Sequence, residues 1–172
     1  MRRATLGLIL VVVSSVVFSG VVHASPSGPN IRADVEGRSI KSSEISSYFC
    51  HDFDFPRIHC FQTADRLEAV TTTTMSTGTS AVAAAFGPND YVTVYSGPTF
   101  SGTYAHLSQN YDNLFWVGWN DQISSYKGRN GASGTFWSDW FASGRATNFC
   151  CNTQVTSLPG GVDNTFTSVY RH

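Results

Sequence analysis

The sequence predicts an all-β fold in which a β-sandwich is formed by residues 86–172. In this part of the chain, short segments rich in β-branched and aromatic residues alternate with turn residues, which is typical of a β-sandwich. Two similar hexapeptides, NDQISS and DNTFTS, begin at positions 120 and 163, 43 residues apart. Each lies late in its own set of predicted strands, so we expect an internal repeat.

The N-terminus has the features of a secretory signal peptide, residues 1–24. Arg2 and Arg3 precede an apolar run at residues 6–22, and the segment ends at the small residue Ala24. Serine and glycine dilute the apolar run and no positively charged stop follows it, which favours a cleaved signal peptide over a retained anchor. We therefore expect a secreted, extracellular protein that has no membrane segment after cleavage.

An N-terminal extension at residues 25–85 is predicted to precede the β-sandwich. It begins with a polar lead-in, and residues 45–61 are expected to be extended. Thr63 is a suitable N-cap for a short helix at residues 64–69. The threonine-rich segment that follows, residues 71–80, is predicted to be a solvated linker.

Four cysteines indicate disulfide bonds in an exported protein, and they allow three connectivities. A bond between Cys50 and Cys60 leaves the adjacent Cys150 and Cys151 either free or joined in a strained bond. The other two connectivities link the extension to the β-sandwich, and we favour these two without choosing between them. Zinc ligation by the cysteines and nearby histidines is disfavoured, because the usual two-residue gaps are missing.

Strands are predicted in two sets, which are separated by a glycine-rich break at residues 128–134. The first set consists of residues 91–95, 102–107, 115–117 and 123–126. The second set consists of residues 135–138, 147–149 and 166–170.

Composition and motifs exclude several classes of function. Charged residues make up 13% of the chain, its net charge is −1 and basic residues do not cluster, so we expect no nucleic-acid partner. No nucleophile elbow or zinc-protease helix motif occurs, and we expect a monomer that is not an enzyme. His106 is expected on the surface of a strand, and Asp52 and Asp54 on the polar face of another.

Residues 95–102 (YSGPTFSG) contain an aromatic residue, four further residues, a second aromatic residue, one residue and a glycine. This spacing resembles the Greek-key signature of βγ-crystallins. Together with the hexapeptide at residues 120–125, it is similar to the calcium-binding microbial branch of that family. The resemblance covers residues 86–172 and implies a single domain of two Greek-key motifs, preceded here by the signal peptide and the cysteine-bearing extension.

The second motif departs from this signature. Phe136 and Phe141 have the aromatic spacing, but Ser143 stands where the glycine is expected and Gly144 follows one residue later. The folded hairpin needs a positive φ at that position, which serine resists. A one-residue bulge would restore the geometry; without it, we expect the second hairpin to differ from the first.

The resemblance also implies two calcium ions held between crossed loops. Carboxylate, amide, hydroxyl and carbonyl groups are the hard oxygen ligands that suit calcium. Side-chain ligands are expected from the second and fifth residues of each hexapeptide, which are Asp121, Ser124, Asn164 and Thr167. Backbone carbonyl ligands are expected near Gln122, Thr165, Pro98 and Asp139. The alternative is that these loops are hydrogen-bonded turns without metal affinity.

The tryptophans leave a second function open. They form two pairs with three-residue spacing, Trp116 with Trp119 and Trp137 with Trp140. In a strand, this spacing puts one ring of each pair on each face. Such rings either fill the core or form an exposed surface for a carbohydrate or cell-wall polysaccharide.

A secreted proteinase inhibitor is a third possibility. Small bacterial metalloproteinase inhibitors share the βγ-crystallin fold, and an inhibitor needs a protruding loop braced by a disulfide. The candidate loops are residues 54–57 between the first two cysteines and the stretch around Cys150 and Cys151. The partner would then be an extracellular protease.

Overall fold

Eleven β-strands form two sheets in the part of the chain that the structure, a computed structural model, describes: residues 29–77 and 90–172. The strands are β1 (Arg32–Val35), β2 (Arg38–Ile40), β3 (Phe49–Asp54), β4 (Arg57–Phe61), β5 (Tyr91–Tyr95), β6 (Tyr104–Leu107), β7 (Ser125–Arg129), β8 (Gly134–Asp139), β9 (Ser143–Phe149), β10 (Gln154–Val155) and β11 (Ser168–Arg171). The helices are α1 (Ala64–Thr77) and the 3-10 helices Ser42–Ser47, Pro98–Phe100 and Leu114–Val117.

No helix within the described residues is long and apolar enough to cross a membrane. The predicted signal peptide and the predicted domain boundary near residue 85 lie outside the described residues.

Two Greek keys interlock across the sheets, the first containing β5 to β7 and the second β8 to β11. The first sheet has the strand order β10-β7-β5-β6-β3-β4-β1-β2, and the second has the order β11-β8-β9. β10 of the second key therefore pairs with β7 of the first. In return, Tyr111 of the first key forms a bridge with Val169 in β11. The predicted all-β sandwich is confirmed.

Aromatic rings fill the space between the two sheets. The ring centroid of Phe136 lies 5.2 Å from that of Tyr126, 5.0 Å from that of Phe149 and 4.7 Å from that of Phe166. Trp119 is also fully buried. Since burying one large apolar side chain contributes about 2–3 kcal/mol, this cluster is a main source of the sandwich's stability.

The N-terminal extension is built into the first sheet. β3 runs parallel to β6, with Cys50 opposite Ala105, and β4, β1 and β2 follow outwards. The prediction of an extended segment at residues 45–61 is correct for the β3–β4 hairpin. It is wrong for the first residues of that segment, which belong to the 3-10 helix Ser42–Ser47.

Asp52 joins the extension to the first key. Its carboxylate accepts hydrogen bonds from Ser108 N (2.8 Å), Ser108 Oγ (2.7 Å), Gln109 N (3.3 Å) and Tyr111 OH (2.8 Å). The expectation of a solvated polar face is therefore wrong for Asp52, which is fully buried, and right for Asp54, which is exposed. Burial raises the pKa of the Asp52 carboxyl, and the four donors oppose that shift.

Helix α1 packs on the first sheet. Its predicted start at residue 64 is confirmed, but it continues to Thr77, so residues 71–77 are helical and do not form the predicted linker. Threonine is a poor helix former because its branched side chain loses rotamer freedom. Leu67 and Thr71 are nevertheless buried, and this packing outweighs the low intrinsic propensity.

Two histidines are buried beside α1. His106 Nε2 lies 3.7 Å from Glu68 Oε1 of the helix, and His106 Nδ1 lies 3.0 Å from Thr93 Oγ1. The expectation that His106 lies at the surface is wrong, because the helix covers it. Burial lowers the pKa of His106; it also lowers the pKa of His51 to about 3, with the neighbouring His59 acting in the same direction.

Cys50 and Cys60 form a disulfide bond between β3 and β4. They stand opposite each other in the hairpin, with their Cα atoms 4.0 Å apart. Cys150 and Cys151 are free and exposed. The preference for a bond between the extension and the sandwich is therefore wrong, because strand pairing brings the two N-terminal cysteines together.

The predicted strand at residues 115–117 is instead part of the 3-10 helix Leu114–Val117. The Asn113 side chain caps this helix by accepting a hydrogen bond from Phe115 N (2.8 Å). Gly118, with a φ of +70°, ends it. These two capping residues, one at the start of the helix and one at its end, outweigh the β propensity of the residues between them.

Candidate calcium site

Two hairpins flank the site, and they follow the same backbone path. In the first, residues 99–100 have φ values of +52° and +60°, and Gly102 has +77°. In the second, residues 141–142 both have +54°, and Gly144 has +77°. The glycine of the second hairpin is therefore Gly144. The expectation that Ser143 makes the second hairpin differ is wrong.

The second motif is read in the correct register from Trp137, not from Phe136. Thr167 N donates a hydrogen bond to Trp137 O (2.8 Å), just as Ser124 N donates to Tyr95 O (2.9 Å). Trp137 thus occupies the place of Tyr95. The aromatic spacing of residues 136 and 141 is a coincidence of sequence.

A repeated Ser-Gly pair gives the same register. Ser101 Oγ donates to Pro98 O (2.6 Å), and Ser143 Oγ donates to Trp140 O (2.7 Å). Alignment of the two motifs on these Ser-Gly pairs would have found the register from the sequence. The Pro98 carbonyl, a predicted ligand, is occupied by the bond from Ser101.

The sixth residue of each hexapeptide forms hydrogen bonds to the backbone of a hairpin and so joins the hairpin to the hexapeptide loop. The sequence did not suggest this role. Ser125 Oγ donates to Gly97 O (2.7 Å) and accepts from Phe100 N (3.2 Å). Ser168 Oγ donates to Asp139 O (2.6 Å) and accepts from the amide of residue 142 (3.3 Å). The predicted carbonyl of Asp139 therefore corresponds to that of Gly97.

The two hexapeptide loops cross and bond to each other. Asp121 N donates to Phe166 O (3.0 Å), and Asn164 N donates to Ile123 O (3.1 Å). Across this crossing, Ser124 Oγ lies 3.3 Å from Asn164 Oδ1. The side-chain oxygens that meet here come from the fifth residue of one hexapeptide and the second residue of the other.

The other predicted ligands lie on the same two loops. Asp121 is the second residue of the first hexapeptide and Thr167 is the fifth residue of the second, so they form the counterpart of the pair Asn164 and Ser124. Asp121 is exposed and Thr167 is buried. Gln122 is exposed beside Asp121. Thr165 is held in place because its Oγ1 donates to Val162 O (2.7 Å).

The donor set fits calcium. Partial desolvation raises the pKa of the Asp121 carboxyl although the residue is exposed, and the hydrogen bond from Asn120 Nδ2 to Asp121 Oδ2 (2.7 Å) opposes this shift. The buried Asn120 Oδ1 has no hydrogen-bond partner among the described residues. A cation beside this carboxylate would offset the cost of its desolvation, and the mixed oxygen donors match calcium's preference. The described residues contain no cluster of three or more histidine, cysteine or acidic side chains arranged to hold a metal.

Arg145 places a positive charge beside the second hexapeptide only. Its Nη2 donates to Thr165 Oγ1 (3.1 Å) and to a carbonyl oxygen of the preceding loop. The corresponding residue of the first key is the neutral Thr103, because Arg145 N donates to Ser138 Oγ (2.9 Å) and Thr103 N donates to Ser96 Oγ (3.0 Å). The two loops therefore differ in charge although they share a backbone.

Comparison with known proteins returns βγ-crystallin structures. The N-terminal domain of protein S is 21% identical over 48% of this chain and 94% of that domain, with a TM-score of 0.42. A βγ-crystallin domain from Flavobacterium johnsoniae is 23% identical over 47% of this chain and 92% of its own, with a TM-score of 0.42. A βγ-crystallin from Ciona intestinalis is 22% identical over 48% and 99%, with a TM-score of 0.43.

No protein-family profile matches the chain, and no curated protein matches it. The two interlocked Greek keys, with their paired hairpins and crossed hexapeptides, form the sandwich of two Greek-key motifs that the resemblance in the sequence implied.

Proposed function

We propose that this protein is a secreted calcium-binding module of the βγ-crystallin fold, in which bound calcium stabilises the sandwich. The observation that carries the proposal is the approach of Ser124 Oγ to Asn164 Oδ1 at 3.3 Å, across loops joined by reciprocal backbone hydrogen bonds. The repeat supplies a second set of donors from Asp121 and Thr167. No catalytic step is part of this function.

The protein's own residues do most of the positioning. Ser125 and Ser168 hold each hairpin against its hexapeptide, so the nearby carbonyl groups are fixed before any ion binds. Backbone carbonyls near Gln122 and Thr165 would complete the ligand sets. Calcium, when bound, supplies a double positive charge that oxygen atoms from both keys share.

The expected affinity is low. Only Asp121 among the expected side-chain ligands carries a formal charge, which suggests a Kd on the order of 10⁻⁵–10⁻³ M. At about 1 mM calcium and a Kd of about 50 μM, one site adds about 1.8 kcal/mol to the free energy of unfolding. That is a useful increment for a protein of this size.

The test is a double substitution that places a positively charged side chain in each set of expected calcium ligands. We expect Ser124→Arg with Thr167→Arg to abolish the calcium-dependent rise in Tm, because each guanidinium occupies a donor position and repels the ion. Ser39→Arg, at an exposed position on β2, is the matched control and should keep the full rise. An undiminished rise in the double variant would show that the ion binds elsewhere.

The secretion part of the proposal depends on residues 1–24 and has its own test. Expression with the native N-terminus should release into the medium a chain whose mass corresponds to a start at Ser25. Recovery of the uncleaved chain from the membrane fraction would contradict it.

The inhibitor alternative gains no support from the candidate loop at residues 54–57. The Phe55 ring packs on Tyr111 with ring centroids 6.0 Å apart, and Arg32 N donates to Pro56 O (3.0 Å). These two contacts tie Phe55 and the Pro56 carbonyl to the rest of the protein, while Asp54, Pro56 and Arg57 are exposed.

A further inference from the structure

An open groove of about 420 Å³ lies beside the second hairpin, and none of the expected calcium ligands lines it. Its walls combine aromatic rings with polar side chains, and its lining includes Phe55, Asn110, Tyr111, Asp112, Trp116 and Phe141. Its volume is that of a small-ligand site.

The second hairpin presents an aromatic ring outward where the first does not. In the first hairpin, Phe100 packs on Tyr95 with ring centroids 5.4 Å apart, and Lys127 Nζ lies 3.9 Å from its centroid. The corresponding residue in the second hairpin is Ala142, and the aromatic residue has moved to position 141. Phe141 is 55% exposed.

This placement carries a cost. Phe141 has a φ of +54°, a left-handed conformation that is unfavourable for a bulky residue. It also leaves a large apolar ring in water. The corresponding residue of the first hairpin is Thr99, with a φ of +52° and no ring to expose. The left-handed φ therefore belongs to the hairpin itself, and what is particular to the second hairpin is the large exposed ring that Phe141 presents to the groove.

The groove's polar groups are fixed in place and still have bonding capacity. Asn110 Oδ1 accepts a hydrogen bond from Arg171 N (2.7 Å), so its NH₂ group can donate to a ligand. One oxygen of Asp112 accepts from Tyr170 OH, so its other oxygen can accept from a ligand. Phe141 N donates to Asp112 O (3.0 Å), which ties the ring's backbone to the same loop.

We propose that this groove binds a glycan, with a sugar ring stacked on Trp116 or Phe141 and its hydroxyl groups bonded to Asn110 and Asp112. A pyranose has an apolar C–H face and a rim of hydroxyl donors and acceptors, which matches aromatic walls beside a carboxylate and an amide. A purely apolar partner would bury these two polar side chains without hydrogen bonds, which is unfavourable. A glycan satisfies them.

The experiment measures retention of the purified protein on insoluble chitin and cellulose, and quenching of tryptophan fluorescence by chitotetraose and cellotetraose. Two substitutions probe the groove: Phe141→Thr, which installs the residue that the first hairpin has at this place, and Trp116→Ala. Phe115→Ala is the matched control, because Phe115 is 65% exposed and does not line the groove.

We expect the wild-type protein and the control to bind at least one of these β-1,4-linked glycans, and both groove variants to bind it at least 10-fold more weakly with an unchanged Tm. Calcium affinity should stay within 2-fold in Phe141→Thr, so the outcome is separate from that for the crossed loops. Absence of wild-type binding to all four probes would overturn the proposal. An equal loss in the Phe115→Ala control would also overturn it.

Discussion

The two Greek keys of this protein share a backbone and differ in the side chains that set charge and surface character. Gly102 and Gly144 have the same φ of +77°. Ser125 and Ser168 make the same pair of hydrogen bonds to their hairpins. The hairpin glycines and the serines that bond to the hairpins are therefore the same in both keys.

The differences lie around the ends of the crossed loops. The second residue of the hexapeptide is Asp121 in the first key and Asn164 in the second, and only the second key has Arg145 beside its loop. Duplicate geometry with unequal charge should give two calcium sites of unequal affinity. In the proposed function, the repeated backbone would provide two sites, and the local charge would make their affinities differ.

The largest effect that we expect is a loss of stability in acid, caused by His51 in the first sheet. His51 has an ordinary pKa of 6.5 when unfolded and about 3 when folded, so protons favour the unfolded chain as the pH falls through this window. We expect the free energy of unfolding to fall by on the order of 3 kcal/mol between pH 7 and pH 4, measured by urea denaturation.

His51→Asn is the control for this effect, because its Oδ1 takes the place of Nδ1 and can still accept the hydrogen bond from Phe53 N. The variant should show a smaller loss between pH 7 and pH 4. An identical loss in the variant would assign the acid sensitivity to other groups.

The hairpin glycines should be equally intolerant of a side chain. A Cβ at Gly102 would overlap the Ser96 hydroxyl, and a Cβ at Gly144 would overlap the side chains of Ser138 and Asp139. With the left-handed φ, we expect Gly102→Ala and Gly144→Ala each to cost about 2 kcal/mol of unfolding free energy.

Ser143→Gly tests whether position 143 or position 144 is the glycine position of the second hairpin. It should destabilise slightly, because it removes the bond from Ser143 Oγ to Trp140 O. Stabilisation by Ser143→Gly would mean that the second hairpin follows the aromatic spacing of residues 136 and 141 after all.

Exchange of the loop charges should reverse the order of the two sites. Asn164→Asp adds a carboxylate to the pair with Ser124, and we expect it to tighten one calcium site about 10-fold. Asp121→Asn should weaken the other by a similar factor. Calorimetric titration of the single variants and the double exchange measures this. If both substitutions left the isotherm unchanged, neither side chain would be a ligand.

Arg145 should have the smallest effect. We expect Arg145→Thr, which installs the residue of the first key, to raise calcium affinity about 2–5-fold at low ionic strength and less at about 0.5 M salt. Arg38→Thr, at an exposed position on β2, is the control and should change nothing. Weaker calcium binding in Arg145→Thr would show that its bond to Thr165 positions the loop and that its charge is secondary.

Much of the sandwich could be predicted from local sequence, because alternating strands and turn residues act over a few neighbours. β5 at residues 91–95 and the first hairpin are examples. For the second hairpin, the aromatic spacing of Phe136 and Phe141 predicts the wrong register. The repeated Ser-Gly pair is the local signal for the right one, and hydrogen bonds from distant residues fix it in the fold.

The errors in the extension have the same origin. Thr71 is helical because it is buried, and Asp52 is buried because the loop after β6 brings four donors to it. The Cys50–Cys60 bond follows from the register of β3 and β4. The candidate ligands lie on two loops that the sequence identified, but the contact between Ser124 and Asn164 depends on how those loops cross, which no single hexapeptide reveals.

The most direct test of the calcium account is a calorimetric titration of the chain from Ser25 after treatment with a chelator, with a melting curve before and after. We predict two binding events of unequal affinity. We also predict a Tm that rises by about 4–7 °C for each occupied site. Absence of binding heat together with an unchanged Tm would contradict it, and the crossed loops would then be hydrogen-bonded turns without a metal.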